Sequence, residues 1–191
     1  MNYILIDINW KNLLPLSFTR PLSHLLIGID TIREKWFRHL QKQPAVLTPR
    51  YLSEMYAPEA LPDGILINSA VLPSPALVAA INDLKPGQVL TNRGRFVAAM
   101  GDASKYAMIA QRLEDKFKFV FSEFGTEEVF FNEPIIFIES PADIFSLNDA
   151  ILRNDFVEKT KNIHTIDFDK GGGLVPAIVQ DYRSREVLML G

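Results

Sequence analysis

Two basic side chains, Lys11 and Arg20, follow the first apolar run of the chain. A cation in a loop after a buried strand can neutralise a phosphate group. The plain alternatives are a solvated loop lysine for Lys11 and a surface arginine before the turn residue Pro21 for Arg20. Asn148 and Asp149 offer oxygen atoms of the kind that hold Mg²⁺, and they equally suit the cap or surface of a helix. His24 follows a proline turn and reads either as facing a pocket or as a capping or surface residue. His39 reads as a helix surface residue, and His164 has no metal partner near it in sequence. Gly171–Gly173 opens no clear helix, so it reads as a connector and not as a phosphate cradle. Arg33 and Lys35 beside Trp36 read as a solvated helix face. The sequence holds no cysteine, which excludes disulfides, Cys-ligated zinc, iron–sulfur clusters and thiol nucleophiles.

These residues need strands and helices to position them. Tyr3–Ile8 is a short apolar run with the acid Asp7 near its end, the pattern of a buried first strand. Pro15 and Pro21 bar a continuous helix through the next loop. Ser23 then reads as an N-cap, and Leu26, Ile29, Ile32, Trp36 and Leu40 predict a helix to about Gln41. Strands are expected at Ala45–Leu47 and Ile65–Val71, and helices at Tyr51–Tyr56 and from Pro75 to Leu84. Val89–Thr91 and Phe96–Ala99 flank Asn92-Arg93-Gly94-Arg95, a hairpin signal. A helix over Lys105–Asp115, strands over Phe117–Phe121 and Val129–Glu139, and a helix over Asp143–Lys159 complete the body. The Phe117–Phe131 aromatics read as core and edge packing. The alternation predicts an α/β fold with a mainly parallel sheet. Ligands of such sheets lie beyond the carboxyl ends of the strands, so the loops after Tyr3–Ile8 and Ile65–Val71 are the expected site.

The 191 residues, 48% hydrophobic and 23% charged, suffice for one α/β domain with a core and a short appendage. A formal net charge of −3 without a long basic run argues against a nucleic-acid footprint. No run approaches the ~18 apolar residues of a membrane span, and the N-terminus lacks the basic start and long apolar run of a signal peptide. A cytoplasmic protein is expected. After about Thr160 the texture changes: strand-like Leu174–Gln180 and Glu186–Leu190 are joined by Asp181–Arg185.

Residues 12–22, Asn-Leu-Leu-Pro-Leu-Ser-Phe-Thr-Arg-Pro-Leu, are followed by Ile27-Gly28 and by Thr31-Ile32-Arg33-Glu34-Lys35-Trp36. With residues 66–73, Leu-Ile-Asn-Ser-Ala-Val-Leu-Pro, and 143–149, Asp-Ile-Phe-Ser-Leu-Asn-Asp, this set resembles bacterial sugar nucleotidyltransferases. Their relative is the uridylyltransferase half of the bifunctional enzyme that makes UDP-N-acetylglucosamine, and the resemblance covers about residues 1–157. It implies a Rossmann-like fold. It also implies attack of a sugar 1-phosphate on a nucleoside triphosphate, with pyrophosphate leaving and Mg²⁺ as cofactor. Arg20 with Lys11 would neutralise phosphates, Asp7, Arg20, Asn68 and Ser69 would face the substrates, and Asn148 with Asp7 would hold the metal. Two positions depart from the ordinary pattern. The loop Asp7–Asn12 has no glycine to approach a triphosphate closely. The strand end that ordinarily presents a metal-binding aspartate reads Asn68-Ser69-Ala70.

The tail, Ile163–Asp181 and Glu186–Leu190, resembles the beginning of phosphoribosyl-AMP cyclohydrolase, ahead of that family's catalytic motifs. The expected division is a nucleotidyltransferase-like domain over 1–159 and an incomplete, β-hairpin-like tail over 160–191. Three functions stay open: a nucleotidyltransferase, a module that binds nucleotide sugars or regulates without turnover, and a truncated fusion product. Homo-oligomerisation stays open as well.

Overall fold

The computed structural model describes residues 1–56, 63–101, 109, 113, 124–160, 178–180 and 187–190. The chain divides into two compact units, Met1–Arg153 and Asn154–Gly191. In chain order the elements are β1 (Tyr3–Ile6), β2 (Leu26–Ile27), β3 (Asp30–Thr31), α1 (Ile32–Leu40), β4 (Ala45–Leu47) and α2 (Arg50–Tyr56). Then come β5 (Gly64–Asn68), α3 (Pro75–Asn82), β6 (Gln88–Asn92), β7 (Arg95–Gly101), β8 (Glu127–Phe130) and α4 (Pro141–Thr160). In the second unit β9 (Ile178–Gln180) pairs antiparallel with β10 (Val187–Leu190), within the two expected tail strands. The expected helix over 105–115 and strand over 117–121 lie largely outside the described residues, as does Gly171–Gly173.

Six strands form one sheet in the order β4-β1-β5-β7-β6-β8. β1 runs parallel to β4 and β5, and β6 runs parallel to β8. β7 is antiparallel to both its neighbours, β5 and β6, and a two-residue turn joins it to β6. That turn holds Arg93 at φ 52° and Gly94 at φ 74°, the left-handed pair that tight hairpins favour. The sheet is thus mixed and mostly parallel, as the alternation of elements predicts.

β1 and β5 are buried at every residue, as strands covered on both faces must be. Their side chains alternate between two cores. Tyr3, Leu5, Ile65 and Ile67 pack with Trp36 of α1, Leu77 and Ile81 of α3, and Ile151 of α4. Ile4, Ile6 and Leu66 pack on the other face with Val89, Phe96, Ile109, Leu113 and Phe124.

Two segments depart from the sequence expectation. The helix predicted from Ser23 begins only at Ile32. Before it lie a 3-10 turn over Leu22–His24 and the β2–β3 hairpin, which turns through Gly28 at φ 71°. The helix start is set by a capping box: Thr31 Oγ1 accepts from the Glu34 amide, and the Glu34 carboxylate accepts from the Thr31 amide at 2.8 Å. Leu26 and Ile29, which extended the helical spacing, are exposed. The strand predicted over Val129–Glu139 stops at Phe130. Pro134 cannot donate to a ladder, and beyond it only Phe137 forms a bridge, with Val71.

Trp36 is fully buried, and its Nε1–H donates to the Val71 carbonyl at 2.9 Å. Trp36→Phe orphans that carbonyl and leaves a cavity, for an expected loss of about 2–4 kcal/mol. Urea unfolding checks this as a lowered midpoint at unchanged slope.

Candidate functional site

The carboxyl end of β1 delivers Asp7 into the protein interior, where it is fully buried. Its Oδ2 accepts from the Leu22 amide at 3.1 Å and from Thr48 Oγ1 at 2.9 Å. Its Oδ1 has no hydrogen-bond partner, and neither has the buried Ser69 Oγ at the end of β5. Burial raises the Asp7 pKa from 3.8 to about 6, against the opposing pull of Ser69, Thr48 and the Leu22 and Ser23 amides. Ser69 acts on the carboxylate as a nearby dipole, without hydrogen-bond geometry. Asn68 is also buried and committed: its Nδ2 donates to the Phe96 carbonyl and its Oδ1 accepts from the Ala70 amide.

The glycine-free loop after β1 is shaped by anchors. Trp10 Nε1 donates to the Leu113 carbonyl at 3.0 Å, and Ser17 Oγ donates to the Trp10 carbonyl at 2.6 Å. Tyr51 packs its ring on Trp10 and donates to the Ser17 carbonyl at 2.8 Å. Leu13 and Leu22 are fully buried. Lys11 is exposed, with its ammonium 5.4 Å from the centre of the Trp10 ring.

Two clefts flank this loop. The first, about 210 Å³, lies beyond the carboxyl ends of β1 and β5 and is lined by Ile8, Asn9, Asn68, Arg95, Phe137 and Glu139 among others. Arg95 starts β7, lies over the Phe137 ring at 4.0 Å and donates to Glu139 Oε2 at 2.9 Å. The second, about 300 Å³, is lined by Arg20, His24, Thr31, Arg33, Gln43 and Tyr56 among others. Burial lowers the His24 pKa first, and the Arg33 and Arg20 charges lower it further against an opposing effect of Glu34.

The expected site residues are therefore dispersed. Asn68 lines the first cleft and Arg20 the second. Asp7 and Ser69 are buried at the strand ends, and Lys11 lines neither cleft. Asn148 Oδ1 accepts from the Gly28 amide at 2.9 Å, so it holds the β2–β3 turn. Sequence reasoning missed Arg95. Its signal was the hairpin itself: a β6–β7 turn beside β5 sets the first residue of β7 at the carboxyl end of β5.

The pair Asp7 and Asn148 does not fit Mg²⁺. That ion keeps several waters, and a fully buried carboxylate has no room for them. The Asn148 oxygen is already engaged. Among the described residues no three His, Cys, Asp or Glu side chains gather as ligands, and no helix is long and apolar enough to cross a membrane.

The Asp7 pKa gives a pH dependence with a definite sign. Its folded value of about 6 exceeds the ordinary 3.8. Between these values the folded chain binds the proton more tightly than the unfolded one. The contribution to stability is therefore full below about pH 4, falls as pH rises through 6, and is level above. The total is on the order of 3 kcal/mol. Asp7→Asn keeps an oxygen for Leu22 and Thr48 and removes the buried charge. Thermal unfolding followed by circular dichroism from pH 4 to 8 should show this decline flattened in the variant, with a higher Tm than the parent at pH 8.

Known proteins of three kinds resemble the chain. A curated phosphoribosyl-AMP cyclohydrolase of Clostridium botulinum is 64% identical over 31 residues, and one of Geotalea daltonii is 72% identical over 25. These matches take up 16% and 13% of this chain, which spans 28% and 20% of those relatives. A crystal structure from Bacillus anthracis, assigned as a glucose-1-phosphate thymidylyltransferase in complex with a sucrose, superposes with a TM-score of 0.47 at 10% identity. The alignment covers 80% of this chain and 95% of that one. The model of the sugar nucleotidyl transferase family matches residues 3–163. The chain therefore belongs to the sugar nucleotidyl transferase family.

Proposed function

We propose that the chain transfers a nucleotidyl group from a nucleoside triphosphate to a sugar 1-phosphate, with release of pyrophosphate. One observation supports this most strongly. In a chain of this family, an arginine-walled cleft lies beyond the carboxyl ends of β1 and β5, where open α/β sheets hold their ligands. In the reaction a phosphate oxygen of the sugar 1-phosphate forms a bond to the α-phosphorus. The bond from that phosphorus to the oxygen bridging to the β-phosphorus breaks, and pyrophosphate leaves with the electron pair. The protein has to hold two polyanions in line and neutralise the charge that develops.

Arg95 suits that task. Its planar fork can exchange the Glu139 carboxylate for a phosphate, and the Phe137 ring beneath it fixes its plane. By resemblance, Arg20 and Lys11 are further cations for the substrates' phosphates, although Arg20 lines the second cleft and Lys11 lines neither. The likeness to a uridylyltransferase puts uridine triphosphate and N-acetylglucosamine 1-phosphate first among the substrates to try.

The glycine-free loop favours a second reading, binding of a nucleotide sugar without turnover. The loop's shape comes from Trp10, Leu13 and Tyr51, and it lacks the bare backbone that wraps a triphosphate.

Pyrophosphate release across a matrix of nucleoside triphosphates and sugar 1-phosphates, with and without Mg²⁺, decides between the two. Release that needs both substrates, with kcat/KM reduced about 10- to 100-fold in Arg95→Ala, is the expected result. Silence from a folded sample, together with calorimetric binding of a nucleotide sugar, would overturn the first reading in favour of the second.

A further inference from the structure

Helix α4 carries apolar side chains on two of its sides. Ile144, Leu147 and Ile151 pack inward against the core. Phe145 and Leu152, about two turns apart along the helix, face outward, Phe145 at 81% exposure and Leu152 at 41%. Asn148 lies between them on that surface, and its Oδ1 accepts from the Gly28 amide at 2.9 Å. The tip of the β2–β3 hairpin is thereby fixed beside both. That hairpin repeats the division: Ile27 is buried, while Leu26 and Ile29 are exposed. Apolar side chains from two elements thus stand outward around one hydrogen bond. Single apolar residues scattered on a surface need no explanation, whereas a group of them marks a contact with another molecule. The charges at the edge of this face are balanced. Arg153 Nε donates to Asp149 Oδ2 at 3.0 Å, one turn away on the exposed side of α4. Asp30, next to Ile29, is paired with Arg38 of α1 at 2.8 Å.

We infer that this face pairs with the same face of a second copy of the chain, α4 against α4, antiparallel about a two-fold axis. A two-fold contact needs a surface complementary to itself: where residue i meets j, j meets i. Asp149 and Arg153 satisfy that condition. With the helices antiparallel and the axis near residue 151, Asp149 of each copy faces the partner's Arg153. Each charge then has a second, identical partner across the axis, and unlike charges meet twice. Leu152, next to the axis, meets its own counterpart, and Phe145 with the hairpin flanks the pair. Charge favours this occupant over others. A nucleic acid or an anionic membrane asks for a basic face, and here each base sits beside an acid. A strongly acidic or basic partner segment gains nothing from such a balance either. A few side chains on each copy make a small contact, of the kind that associates weakly and reversibly.

Sedimentation velocity of the full chain at low salt, from low micromolar to submillimolar concentration, tests this. The parent should show a dimer fraction that rises with concentration. Phe145→Ser, at an exposed position, should lower the association constant about tenfold or more. Arg153→Asp sets acids against acids across the axis and should lower it about threefold or more. The swap of Asp149→Arg together with Arg153→Asp should restore it, because the exchanged pair is again complementary to itself. Circular dichroism of each variant confirms that the fold is kept. A parent that sediments as a monomer throughout overturns the inference. So does a dimer that ignores both single substitutions, as one joined through β9 and β10 would. A swap that fails to restore association overturns the two-fold register. No nucleotide or sugar enters the measurement, so its outcome is independent of the proposed reaction.

Discussion

The arrangement of the first unit hangs on a single buried carboxylate. Asp7 ends β1 inside the protein and accepts from Leu22, at the far end of the loop, and from Thr48, just past β4. A loop without glycine has few ways to lie against a sheet. Here it is drawn in at one end by Asp7 and at the other by Trp10. Both clefts inherit their walls from this. Ile8 and Asn9 follow the acid directly, and Arg20 and His24 bracket the residue whose amide the acid holds. Holding a carboxylate in a dry setting is costly, and its raised proton affinity reflects that.

The charges are distributed unequally around this centre. In the cleft above β1 and β5, Arg95 is paired with Glu139 and its charge is largely cancelled there. In the cleft beside α1 the arginines face a carboxylate already turned to the helix cap. One cleft is near neutral and the other positive, although the chain as a whole is acidic.

Much of this was legible in the residues. The apolar runs of β1 and β5 and the Asn-Arg-Gly-Arg turn each admit one reading, because strand burial and left-handed turn geometry constrain residue type strongly. The start of α1 misled, since Leu26 and Ile29 happen to continue the helical spacing. The Thr31–Glu34 capping box was in the sequence and is the better guide, being a statement about backbone amides. The site was legible in part. Arg20 does face a cleft, but Asn148 is drawn to Gly28 by a contact 120 residues distant that no local pattern encodes. Arg95 was hidden for a related reason: its place depends on β7 pairing with β5, a long-range choice. The division of the chain near residue 153 falls close to the change in texture near 160 without coinciding with it.

The alternation of β1 between two cores has a consequence for how such a sequence can drift. Leu5 serves one face, Ile4 and Ile6 the other. An inserted or deleted residue would exchange both sets at once. Length change is thereby closed to the strand and left to the loops, while substitution at its end is unconstrained in position. Asp7, directly after Ile6, is the exception, because its carboxylate ties Leu22 and Thr48 to the strand end. Residues of the loop that make no such tie can change in kind and number while the frame of the sheet stays the same.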